Sequence, residues 1–222
     1  MARLSRLVVA GQAHYVIQRG HSGQAVFADA ADRPSFMAVL REAARAERVQ
    51  LHAYALLDNE VQLLVTPEAA PSLSRMMQAL GRRYVSAYNR RHGRSGTLWD
   101  GRFRCGVVEP GATRLEVLQL IDGSAAEAGH TSACTRTGAN ADGALLHPPE
   151  YWLLGNTPFE REAAYRDLLA AGLPADRMQA LRQAALGGWA AGHRGFVAQL
   201  ESQLQRPARP RAPGRPRRAE AA

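Results

Sequence analysis

Apolar positions along the first half of the chain change period several times, and each change marks an element. "HYVIQR" (His14 to Arg19) alternates as a strand does, and Gly20 closes it. From Pro34 the spacing becomes helical: Phe36, Val39, Leu40 and Ala43 share one face, with arginines and glutamates opposite. "QLHAYALL" and "VQLLVTP" are two β-rich runs separated by Asp58-Asn59, a turn dipeptide suited to a tight hairpin. Ser72 is the expected N-cap of a long helix, "LSRMMQALGRRYVSAYNRRHG", ending at Gly93. "RFRCGVVE" reads as a further strand and "ATRLEVLQLI" as a helix ending near Gly123. Strand, helix, hairpin, helix, strand, helix predicts an α+β sandwich, with helices packed on an antiparallel sheet.

Beyond Gly129 the pattern changes. "HTSACTRTGANADGALLHPPEYW" lacks periodicity and is expected to be loop, followed by short helices around Arg161–Ala171, Ala175–Ala185 and Gly195–Gln205. The close, "RPARPRAPGRPRRAEAA", is too rich in proline and arginine to fold alone. The expected organisation is a core over 1–129, a loop and helical C-terminal extension over 130–205, and a disordered basic tail over 206–222.

Composition narrows the function classes. With 222 residues, 46% apolar and 22% charged, the chain fits one substantial globular core. No apolar run approaches the ~20 residues of a membrane helix, and the start shows no signal-peptide pattern. The expected location is cytoplasmic, associated with the nucleoid. Two cysteines, Cys105 and Cys134, fit no zinc spacing and are expected to be reduced and inert. The net charge is +8 and every basic residue is arginine; removing the six tail arginines leaves the body positive. That excess favours phosphate-rich partners.

Basic and aromatic residues interleave most densely in "GRRYVSAYNRRHGRSGTLWDGRFR". Arg82, Arg83, Arg90, Arg91, Arg94, Arg102 and Arg104 are candidate phosphate contacts, together with Arg19 at the end of the first strand. Tyr88 and Trp99 are candidate base-stacking rings, unless those aromatics pack inward instead. In the tail, Arg215, Arg217 and Arg218 lie in "PGRPRR", which resembles the minor-groove core of an AT-hook.

One strand is chemically odd. Within "LLDNEVQLLV", Glu60 and Gln62 stand two apart and so share a face of the sheet. The residues alone leave four readings open: a catalytic pair, a metal site, an exposed face or the relic of a lost site.

Taken together, these stretches resemble the REP-associated tyrosine transposase branch of the single-tyrosine HUH transposases of bacteria. The likeness is most specific in "SLSRMMQALGRRYVSAYNRRHGRSGTLWDGRFR". It implies a ferredoxin-like antiparallel sheet flanked by helices, usually a homodimer, that binds hairpin-forming single-stranded DNA. It also implies Mg²⁺ or Mn²⁺ held by two histidines on a central strand, and a tyrosine that forms a 5′-phosphotyrosine intermediate. This chain departs from that pattern at the chemistry. Asn-His-x-His-Leu-Leu is replaced by Asn59-Glu60-Val61-Gln62-Leu63-Leu64, and Leu120 stands where the nucleophilic tyrosine belongs. The Asn-Pro and arginine of the same helix are absent from Gln119 to Gly129. Tyr84, Tyr88, Tyr151, Tyr165 and Ser124 are the hydroxyls considered as replacements. The reading that follows is a DNA-binding protein of transposase type, without catalytic residues and without a required cofactor. The alternative is an atypical metal-dependent strand transferase or nuclease using Glu60 and Gln62.

Overall fold

The computed structural model describes residues 6–124, 130–140 and 142–210. Four strands form one antiparallel sheet: β1 (Ala13–Arg19), β2 (Val49–Leu57), β3 (Glu60–Pro67) and β4 (Arg104–Val108). Their spatial order is β2-β3-β1-β4. With α1 (Asp32–Ala46) between β1 and β2, and α2 (Ala70–Arg91) between β3 and β4, the chain follows the ferredoxin-like order βαββαβ. The expected fold class is therefore observed.

The β2–β3 hairpin turns at Asp58-Asn59, as the dipeptide predicts, with Leu57 opposite Glu60. Both turn residues keep negative φ. The turn is held by its surroundings: Val26 N–H donates to Asp58 O at 2.7 Å and Gly20 N–H to Asn59 O at 2.8 Å. α2 begins at Ala70 with Ala69 as N-cap, so Ser72 lies inside the helix and is buried there instead of capping it. Pro71 in the first turn explains the earlier start, because its missing N–H has no intrahelical partner at that position.

α1 and α2 cover one sheet face. Their core joins Phe36, Leu40, Leu73, Met76 and Tyr84 to Val16, Leu63 and Val65 of the strands. A β-bulge at His52, between Leu51 and Ala53, reverses the parity of β2. Before it Leu51 faces this core; after it Ala53 and Ala55 face the other one. His52 is secured there by Leu146 O, 2.6 Å from Nδ1, and by Thr66 Oγ1, 2.8 Å from Nε2.

The second face is covered by α3 (Ala112–Gly123), α6 (Pro158–Ala171) and α7 (Ala175–Gly187). Tyr151, Tyr165, Leu181 and Ala185 pack with Tyr15, Ile17 and Leu64 in this core. The C-terminal segment is thus a structural layer of the fold. The stretch expected to be loop carries two single-turn helices, α4 (Ala133–Arg136) and α5 (Pro149–Trp152), and runs along the free edge of β2, where Leu146 N–H donates to Leu51 O at 2.9 Å. After α8 (Arg194–Leu204) the chain remains docked. Ala208 is fully buried and its carbonyl accepts from Ala190 N–H at 2.8 Å, so the boundary expected at residue 206 lies further on. The AT-hook-like residues Arg215, Arg217 and Arg218 lie outside the described residues.

Candidate functional site

Glu60 and Gln62 share a face of β3, as alternation predicts, and that face is the one under α3 and α7. Both are buried, at 5% and 0% exposure, which removes the exposed-face reading. The antiparallel register sets Arg19 of β1 opposite Glu60 and Ile17 opposite Gln62. Tyr15, two residues before Ile17, therefore projects toward the same place, and its hydroxyl donates to Gln62 Oε1 at 2.6 Å. Gln62 Nε2 donates to Glu60 Oε1 at 2.9 Å. Arg19 Nε donates to Glu60 Oε2 at 2.9 Å. From α7, Arg182 Nη2 lies 3.0 Å from Oε2 and 2.9 Å from Oε1.

α3 brings the remaining positions of the pattern to the same spot. Leu120 is buried in the core of this face, and Ser124, one turn later, has its Oγ 3.5 Å from Gln62 Oε1 while donating to Leu120 O at 2.6 Å. Strand and helix positions quoted in the sequence comparison therefore do converge. Tyr15 and Arg182 were missed. Parity along "HYVIQR" contains the signal for Tyr15; nothing local signals Arg182.

The electrostatics decide what this site can hold. Glu60 is clasped by two guanidinium groups, and Gln62 is bonded to Tyr15 and Glu60. Burial works against the charge on Arg182, but Tyr15 and Glu60 outweigh it and its pKa is raised. A divalent cation would have to sit beside two fixed positive charges on a carboxylate whose oxygens are already engaged. This donor set does not fit Mg²⁺ or Mn²⁺. Leu120, buried beside this cluster, has no nucleophilic atom. Burial pushes the Tyr15 phenol well above its ordinary pKa, with Arg182 opposing and Glu60 adding to the effect. Tyr84, Tyr151 and Tyr165 are committed elsewhere, donating to Val26 O, Arg136 O and Asp122 Oδ2.

A second cluster, Asp29, Asp32 and His92, brings three metal-type ligand atoms within 4.8 Å of one another. It too is internally satisfied. Asp32 accepts from Ala28 N–H at 2.7 Å and Asp29 N–H at 3.1 Å, and binds Arg91 Nη2 and His92 Nε2. With Asp32 in the first turn of α1 and Arg91 in the last turn of α2, each charge suits its helix end. The cluster joins the two helices.

The arginine block divides. Arg83 pairs with Glu42, Arg91 with Asp32, and Arg94 donates to Gln24 Oε1 at 2.9 Å. α1 and the segment before it supply the acidic partners of this block from a distance in the chain. Arg82, Arg90, Arg102 and Arg104 are exposed, and among the described residues none has a carboxylate partner. Tyr88 is only 3% exposed and packs against Tyr84 and His92, with ring centroids 5.8 and 4.4 Å away. Its expected stacking on a base does not fit that burial; the inward reading of the ring holds. Trp99 is half-buried on the same core and bridges to Gly20.

No known protein-family profile matches the chain, and no curated protein does. Among solved structures it is similar to a REP-associated tyrosine transposase bound to a REP hairpin, at TM-score 0.49 and 10% identity, over 68% of this chain and 93% of that one. It is also similar to a putative transposase from Deinococcus radiodurans R1, at TM-score 0.39 and 22% identity, over 55% of this chain and 96% of that one.

Proposed function

We propose that this chain binds DNA in hairpin or single-stranded form and carries out no strand transfer. The observation that carries the reading is the clasp on Glu60: where the resembled enzymes hold a catalytic cation, this chain holds Arg182 and Arg19. A site that supplies its own positive charge keeps the strand and helix packed without recruiting an ion. The exposed arginines Arg82, Arg90, Arg102 and Arg104 are the phosphate contacts in this reading, with the tail arginines Arg215, Arg217 and Arg218 adding sequence-independent affinity.

The test pairs binding with cleavage on labelled hairpin strands, in Mg²⁺, in Mn²⁺ and in chelator. The expected result is salt-sensitive binding that chelator leaves unchanged, with no covalent protein–DNA adduct. Arg90→Ala should lower the slope of log affinity against log salt by roughly one unit, since one phosphate contact is lost. A metal-dependent adduct would overturn the reading in favour of an atypical strand transferase. Tyr15 would then be the first residue to map, because its hydroxyl lies 2.6 Å from Gln62 Oε1, nearer than that of Ser124 at 3.5 Å. Light scattering on the same sample tests whether a second copy takes part.

A further inference from the structure

A cleft of about 580 Å³ lies between the end of α1, the start of β2, the end of β3 and the segment 143–146. It sits at the opposite end of β3 from Glu60, and none of the arginines assigned to DNA lines it. Its walls are aliphatic: Ala44, Val49, Leu51 and Pro67 are buried, while Leu146 is 51% exposed. No aromatic ring is among the described residues that line it. Arginines rim the α1 side. Arg41 and Arg45 stand one turn apart on the helix, and Arg48 follows just past its end. Arg41 pairs with Asp142 at 2.7 Å and Arg48 with Glu68 at 3.2 Å. The Arg45 guanidinium is exposed and has no carboxylate or hydrogen-bond partner among the described residues. The acidic residues of the same stretch, Glu42 and Glu47, turn to α2 and pair with Arg83 and Arg75. Three guanidinium groups therefore face two carboxylates, and the surplus exceeds the roughly half negative charge at the carbonyl end of α1. Arg48 also holds a left-handed backbone position, φ 53°, where glycine or asparagine is usual. The turn alone does not call for an arginine there.

We infer that this cleft binds an aliphatic monocarboxylate, its carboxylate on Arg45 and Arg48 and its hydrocarbon body against Val49, Leu51, Pro67 and Leu146. The volume falls within the ~300–1,000 Å³ of small-molecule sites, whose usual lining is apolar with a few placed charges. A guanidinium fork matches the two oxygens of a carboxylate. The Arg48–Glu68 pair is exposed on both sides and so weak enough to yield Arg48 to a ligand. A nucleotide fits less well, since no ring is at hand to stack a base and Glu68 opposes a polyanion. An extended peptide fits less well too. The edge of β2 is already taken at this point, where Leu146 N–H donates to Leu51 O at 2.9 Å.

The experiment is isothermal titration of the full chain with octanoate, hexanoate and 1-octanol, using Arg45→Ala, Arg48→Gly and Leu146→Ser as variants. Octanoate should saturate one site. Hexanoate should bind about tenfold more weakly for its two missing methylenes, and 1-octanol about tenfold more weakly for want of charge. Arg45→Ala and Arg48→Gly should each cost octanoate about tenfold, and Leu146→Ser a few-fold. Urea unfolding separates these losses from damage to the fold. Arg48→Gly should unfold at an unchanged or higher urea concentration, because glycine relaxes the left-handed backbone while the ligand contact is lost. Hairpin-DNA affinity should be the same in Arg45→Ala and the unaltered chain. Absence of saturable octanoate binding would overturn the site, as would equal affinity for octanoate and 1-octanol or an Arg45→Ala variant that binds undiminished. A hairpin strand that displaced octanoate would make the cleft part of the DNA surface and overturn its assignment to a carboxylate.

Discussion

Burial sets what individual charged residues can do here, and one fully buried ion pair shows it. Arg136 and Asp122 are both fully buried, 2.7 Å apart at Nη2 and Oδ2. Arg136 also donates to His52 O at 2.8 Å and Ser132 Oγ at 2.7 Å, while Tyr165 donates to Asp122 Oδ2 at 2.6 Å. Removing one partner strands the other charge without water, which costs about 3–5 kcal/mol. Asp122→Ala should therefore lower stability in urea by that order, and adding Arg136→Met should recover part of it. A double variant that loses as much as the sum of both singles would contradict this coupling. His14 makes the pH counterpart. Val9 N–H donates to its Nε2 at 3.1 Å and its Nδ1 faces Gln12 O at 2.8 Å, which fixes the neutral Nδ1–H tautomer. Burial, partly offset by the Gln12 hydrogen bond, lowers its pKa from 6.5 to about 4. Between those values the unfolded chain takes up a proton that the native chain refuses. Stability from this group is therefore full above pH 6.5 and is lost as pH falls toward 4, on the order of 3 kcal/mol. His14→Gln should flatten that part of the stability–pH curve, read from urea midpoints at pH 7, 5.5 and 4.5.

At the level of elements, periodicity carried most of the fold. β1, the β2–β3 hairpin, β4, α3 and the last three helices were all legible, because each buries one face and so repeats at 2 or 3.6 residues. What was not legible lies where tertiary contact overrides local pattern. Ser72 looked like a cap, yet Pro71 placed the helix start ahead of it. The His52 bulge leaves no sequence mark, although it decides which residues of β2 meet α3. The site divides in the same way. Glu60, Gln62 and Leu120 could be located from spacing and resemblance, because strand parity and helix register are local properties. Arg182 could not, since its place beside Glu60 depends on α7 crossing β1 and β4, 122 residues further along the chain. The arginine block misled in part for the same reason: Glu42, Asp29 and Asp32 neutralise some of it from α1 and the segment just before it.

For the whole molecule, the decisive feature is that the C-terminal layer completes both the core and the site. Tyr165 and Leu181, at 0% and 1% exposure, lie in the core that covers Tyr15, Ile17 and Leu64 of the sheet. A fully buried large apolar side chain contributes roughly 1.5–3 kcal/mol, and a domain of this size holds a net stability of only about 5–15 kcal/mol. Losing several such residues together exceeds what the remaining fold can supply. The same layer brings Arg182 to Glu60, so removing it would leave a buried carboxylate facing solvent with Arg19 alone. A chain ended at residue 129 matches the core boundary that the sequence suggested, but it should not behave as a domain. It should unfold without a cooperative urea transition and bind a hydrophobic dye at neutral pH. Adding residues 130–210 as a separate polypeptide should restore part of the cooperativity if the layer docks on its own. A sharp two-state transition from the short chain alone would show that α1, α2 and α3 suffice to stabilise the sheet, and that α6 and α7 serve only to close the site over Glu60.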